Sequence, residues 1–107
     1  MLRYTIENEN IIIIYGFNDE LKGLFLYVCD KNLEWNENNT EEINNLCNIL
    51  SLDGAGCYLN MNTYKIENED RKYKVGIDTI INFMKRYKTK KEHLLELVKY
   101  FDNNIKI

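Results

Sequence analysis

At 107 residues, with 45% apolar and 12% aromatic side chains, the chain has the makings of one domain with a real core, and intrinsic disorder is excluded. Its net charge of −3 hides a division: residues 1–70 carry four basic against thirteen acidic side chains, a net of −9, and residues 71–107 carry ten against four, a net of +6. The apolar runs Ile11–Tyr15 and Leu24–Cys29 are far short of the ~18 residues that span a bilayer. No apolar secretion segment follows Arg3, and three cysteines without CxxC spacing suit free thiols, so a cytoplasmic protein is expected.

In chain order, Leu2–Glu7 reads as a strand, Asn8-Glu9-Asn10 as a turn and the β-branched run Ile11–Tyr15 as a buried strand. Gly16–Gly23 reads as a loop or a helix start. Leu24–Cys29, unbroken and apolar behind a glycine, reads as strand rather than helix, with Asp30-Lys31-Asn32 as a turn before Leu33-Glu34-Trp35. Thr40–Ser51 predicts a helix capped by Thr40, with Glu41 and Glu42 at the positive end of its dipole and Ile43, Leu46, Cys47 and Leu50 as the core face. Asp53-Gly54-Ala55-Gly56 ends it.

Cys57–Ile66 predicts a strand and Arg71–Val75 its hairpin partner. Ile77–Lys88 predicts an amphipathic helix with Asp78 as a possible cap and Ile77, Ile80, Ile81 and Met84 as its stripe. Thr89-Lys90-Lys91-Glu92 matches a capping box for a third helix to about Asp102, with Leu94, Leu95, Val98 and Phe101 inward. The fold expected is α+β: residues 1–107 as one domain, a small antiparallel sheet of about five strands (two hairpins plus one strand) packed by three amphipathic helices. Tyr4–Asn10 and Tyr64–Asp70 share five identities in seven positions, and Gly16 and Gly76 keep the same offset of sixty, an echo open to a repeat of hairpin units, with chance favoured in a chain so rich in Asn and Glu. Asn, Ile and Lys abound and Pro is absent, the mark of A/T-rich codons, so the Asn content is not read as function.

Catalytic readings are thin. Cys29, Cys47, Cys57 and His93 form a Cys3His set by count, but every spacing is ten residues or more, and structural zinc sites take ligands in close pairs. Cys47 falls on an apolar helix face, and His93 falls opposite Leu94, Leu95 and Val98, toward solvent. Pairing Cys57 with His93 for thiol chemistry lacks an orienting third group beyond nearby Asp53. Ser51, the only serine, stands at a helix end. The Asp53–Gly56 turn follows a helix, whereas a phosphate loop should open one. The carboxylate pairs Glu7/Glu9, Asp19/Glu20 and Glu41/Glu42 and the cluster Glu67/Glu69/Asp70 sit in turns or helix starts, where solvation accounts for them. No enzyme, cofactor or metal is expected.

Two charged surfaces remain. Arg71, Lys72, Lys74, Lys85, Arg86, Lys88, Lys90 and Lys91 interleave with tyrosines, which suits phosphate neutralisation with ring stacking in a small nucleic-acid-binding or regulatory module. The acidic part suits mimicry of a phosphate backbone: Glu34, Glu37, Glu41 and Glu42 would meet a basic groove on a partner protein, with Trp35 as aromatic anchor if exposed. The two patches could also meet between copies in a homodimer. In kind, the chain resembles the short, proline-free, charge-polarised proteins by which phages and mobile elements inhibit host defence, anti-CRISPR proteins among them. That resemblance carries no residue across and implies a non-enzymatic inhibitor of a nucleic-acid-handling complex.

Overall fold

The structure, a computed structural model, describes residues 2–50, 55–65 and 73–105. The chain is α+β. Strands β1 (Leu2–Glu7), β2 (Ile11–Asn18), β3 (Gly23–Glu34) and β4 (Ala55–Asn62) are neighbours in sequence order and antiparallel. A two-residue segment, β5 (Tyr73–Lys74), lies beside β4. Helix α1 (Glu41–Leu50) follows β3, and α2 (Ile77–Arg86) and α3 (Lys91–Ile105) close the chain.

Alternation decides the layers. In an antiparallel pair, facing residues share a side, and every second residue lines one face. Leu2, Tyr4 and Ile6 face Phe17, Tyr15 and Ile13, which in turn face Leu24, Leu26 and Val28. Leu26 then faces Met61. This side of the sheet packs on Ile80 and Met84 of α2 and on Leu94 and Leu97 of α3 to form the core. On the other side, Phe25 stacks with Tyr27 at 5.1 Å between ring centroids, and the Tyr27 and Tyr64 hydroxyls are hydrogen-bonded at 3.1 Å.

Several expectations are corrected. The strand read as Ile11–Tyr15 continues through Gly16 to Asn18, where a loop was expected. Gly16 is not a breaker: a Cβ there would lie 2.1 Å from the Leu2 carbonyl oxygen, so glycine permits the close approach of β1. The turn expected at Asp30-Lys31-Asn32 lies inside β3, which runs on to Glu34 through an irregular register against β4. That irregularity is built around Gly56, whose φ is +80° and whose missing Cβ makes room for the Asp30 carbonyl. Tyr73–Lys74 pairs parallel to β4, with Met61 opposite Tyr73, and is not an antiparallel hairpin return. Arg71 and Lys72 lie outside the described residues. The echo at Tyr64 also falls largely outside them. Its glycines differ in setting: Gly16 is inside a strand and Gly76 is the N-cap of α2.

The helices hold three more corrections. Gly76, not Asp78, takes the cap position of α2, and Asp78 stands in its first turn. Thr89 does not open α3 with a capping box. Its hydroxyl donates to the Met84 carbonyl at 2.9 Å, and its amide points at the same oxygen, so it closes α2 instead. Lys88, at φ +58°, makes the left-handed turn between the two helices. In α3 the buried residues are Leu94 and Leu97, while Leu95 is exposed. The helix is thus rolled from the expected phase, and His93 comes inward.

Candidate interaction surface

The segment from β3 to α1 is held by asparagines. Asn36 N–H donates to Asn44 Oδ1 at 3.2 Å, and Asn44 Nδ2 donates back to the Asn36 carbonyl at 3.0 Å. Asn39 Nδ2 donates to the Glu34 carbonyl at 2.8 Å and to Asn44 Oδ1 at 3.2 Å. Asn36 Oδ1 accepts from the Asn38 amide at 2.9 Å, an Asx turn. Thr40 accepts from the Ile43 amide at 3.3 Å, the N-cap expected of it. The side chains read as codon bias therefore fix the backbone of the linker.

That linker presents Trp35, 51% exposed. Glu34, Glu37, Glu41 and Glu42 are all exposed around the same connection. None of these four carboxylates has an ion-pair or side-chain hydrogen-bond partner among the described residues.

Helix α1 corrects its expected core face. Cys47 is buried against the sheet, but Leu46 and Leu50 are exposed, and Ile49 is 75% exposed. Glu42, Leu46 and Ile49 stand at i, i+4 and i+7, one line along the helix. An apolar stripe thus begins at an acidic residue.

The basic residues gather elsewhere. Lys85, Arg86, Lys88, Lys90 and Lys91 are exposed around the α2–α3 turn, and Lys74 is exposed on β5. The Arg86 guanidinium lies 4.6 Å from the Phe83 ring centroid. Burial, followed by the neighbouring phenol of Tyr87, raises the Tyr58 pKa, and Tyr87 is itself half-buried against the core. Its ring is therefore committed to packing rather than offered for stacking.

No group of three or more His, Cys, Asp or Glu side chains among the described residues is placed to hold a metal. The thiols of Cys29, Cys47 and Cys57 are free of disulfides. Ser51, Asp53 and the Glu67/Glu69/Asp70 cluster lie outside the described residues.

His93 belongs to an aromatic latch that sequence reasoning missed. Its Nδ1 meets the Tyr15 hydroxyl at 2.6 Å, and its ring stacks on Tyr4 with centroids 3.8 Å apart and planes 7° from parallel. The Tyr4 hydroxyl donates to Glu96 at 2.6 Å, and the Tyr100 hydroxyl to Asp19 at 2.8 Å. Burial, followed by the bond to the Glu96 carboxylate, pushes the Tyr4 phenol up to about 12. These bonds fasten α3 to β1, β2 and the loop after β2. The available signal was Leu97, which completes an i, i+3 inward pair with Leu94 and rotates the face toward His93.

Compared with protein-family models, curated proteins and solved structures, the chain matches none. No helix among the described residues is long and apolar enough to cross a membrane.

Proposed function

We propose that this chain is a non-enzymatic binding protein that inhibits a nucleic-acid-handling complex by occupying a basic groove on it. The observation that carries the reading is the exposed indole of Trp35 on a pinned linker among four exposed carboxylates, Glu34, Glu37, Glu41 and Glu42, that have no ion-pair partner among the described residues. Carboxylates of this density steer a basic surface into encounter and select against acidic partners. An aromatic anchor then supplies contact area that charge alone does not, and tryptophan is enriched among the residues that dominate binding energy. The exposed Leu46, Ile49 and Leu50 extend the apolar contact along α1.

A second reading is favoured by the five exposed cations at the α2–α3 turn: a nucleic-acid-binding module, held by charge alone. The two are separated by titrating labelled single- and double-stranded DNA and RNA with the protein across a salt series. The inhibitor reading expects no binding at low salt. Tight binding that falls steeply with salt, and is lost in the Lys85→Ala, Arg86→Ala, Lys88→Ala triple variant, overturns it.

On the protein side, a photo-crosslinking residue at position 35 identifies what the linker touches. The purified partner should then bind Trp35→Ala and the four-fold Glu→Gln variant at least about tenfold more weakly than wild type. It should also lose its own nucleic acid when the wild-type chain is added. A partner indifferent to both variants sinks the assignment of this surface.

A further inference from the structure

β1 is an edge strand, paired with β2 on one side only. The hairpin turn fixes which of its backbone groups are left over. The Asn8 amide donates to the Ile11 carbonyl at 3.0 Å, so residues 8 and 11 form a hydrogen-bonded pair at the head of the hairpin. Such pairs alternate along an antiparallel ladder. Ile6, Tyr4 and Leu2 therefore bond to Ile13, Tyr15 and Phe17, while Arg3, Thr5 and Glu7 aim their N–H and C=O groups away from the sheet. The next ladder agrees: the Lys31 amide donates to the Asn10 carbonyl at 2.8 Å, which sends the even-numbered residues of β2 to β3 and the odd-numbered ones to β1.

We propose that this edge pairs with the β1 of a second copy of the chain, antiparallel and centred on Thr5. Three observations meet in that register. First, the outward backbone groups are in phase: Thr5 faces the partner's Thr5, and Arg3 faces the partner's Glu7, so every outward N–H finds a carbonyl. Second, the side chains are self-complementary. Arg3 has no partner of its own among the described residues. Glu7 gives Oε2 to Lys31 at 2.9 Å, which leaves Oε1 for a second cation. Each copy then contributes one arginine and one glutamate to two symmetric cross-strand pairs.

Third, the helical layer stands back from this edge. α3 packs over β2 and β3 and reaches β1 through His93 and Glu96 at Tyr4. Leu2, Tyr4 and Ile6 are left half-buried at the rim, where a second sheet would cover them. A charged edge ordinarily repels unrelated strands, and here the same charges select the chain's own copy. Pairing through β1 closes the two-fold and uses up this edge.

A strand of six residues makes a small interface, so the test is sedimentation equilibrium on the full chain from about 10 to about 500 μM. Thr5→Pro removes the central outward N–H without touching a bond to β2. Arg3→Glu sets a like charge against the partner's Glu7. The double variant Arg3→Glu, Glu7→Arg restores opposite charges.

The wild type should be dimeric at the upper concentrations and Thr5→Pro monomeric. Arg3→Glu should weaken association about tenfold, and the double variant should recover most of it. Circular dichroism confirms that each variant is folded. If Thr5→Pro does not fold, Arg3→Glu and the double variant, changed only at exposed side chains, still decide. A wild type monomeric throughout, or a dimer indifferent to Arg3→Glu, overturns the proposal.

Discussion

Tyr15 Oη and His93 Nδ1 are 2.6 Å apart across 78 residues of chain, and the bond joins the second strand to the last helix. Tyr15 has no exposed surface, so its hydroxyl depends on His93 for a side-chain partner. Removing the hydroxyl and removing the imidazole should therefore differ. Tyr15→Phe should cost about 1 kcal/mol. His93→Ala leaves a buried hydroxyl short of that partner and strips the stack from Tyr4, and should cost about 2–3 kcal/mol. Urea denaturation of the two variants checks the order, and equal losses would contradict it.

Alkali should unfold the protein through its tyrosines. Burial and Glu96 hold Tyr4 at about 12, burial raises Tyr15 and Tyr58, and the bond to Asp19 followed by burial raises Tyr100. In the unfolded chain a tyrosine ionises near 10. Below that pH both states keep the proton and the full contribution is present. As pH rises from about 10 toward 12 the unfolded state loses its protons first, and stability falls. Absorbance at the phenolate band should show late-titrating tyrosines released together with the loss of helical circular dichroism. Glu96→Gln should move part of that change to lower pH.

Gly16→Ala should strike the first hairpin. The added methyl would meet the Leu2 carbonyl oxygen at 2.1 Å, a backbone atom that cannot move without parting β1 from β2. A loss of about 1–3 kcal/mol is expected, with faster amide exchange along β1 than elsewhere in the sheet.

Lys88→Gly should do the opposite. At φ +58° a lysine strains the turn that a glycine takes freely, so the variant should gain about 0.5–1 kcal/mol in thermal or urea unfolding. The same change removes one cation from the α2–α3 patch, so a nucleic-acid affinity that falls with it would report on charge and not on folding.

Asn44→Ala should loosen the surface without emptying the core. The amide holds Asn36 at both backbone atoms and shares Asn39, and its loss should cost about 1 kcal/mol. Trp35 is the one tryptophan, so a drop in its fluorescence anisotropy reads the freed linker directly.

Much of the layer structure was legible because it follows from period. Alternation at Leu2–Glu7 and the i, i+3, i+4 stripe at Ile77–Met84 each admit one reading, and both elements formed. What was not legible rests on long-range geometry. Gly16 reads as a break until the Leu2 carbonyl is seen behind it, and Asp30-Lys31-Asn32 reads as a turn until Gly56 is seen opposite. His93 reads as solvent-facing when Leu95 is counted inward, whereas Leu94, Leu97, Val98 and Phe101 keep the i, i+3, i+4, i+7 spacing that brings it in. At the candidate site, the run from Glu34 to Glu42 was visible as charge, but the part played by Asn36, Asn39 and Asn44 was not, since a codon-driven asparagine and a clamping one look alike in sequence.

The clamp has a consequence for how the protein meets a partner. A loop that must become ordered on contact surrenders conformational entropy at that moment, and its affinity suffers for every side chain stilled. Here the backbone from Glu34 to Thr40 is already fixed by hydrogen bonds made during folding. On the proposed reading, the backbone that carries the indole and the carboxylates would arrive preorganised, and affinity should track the fit of the surface rather than the ordering of the loop.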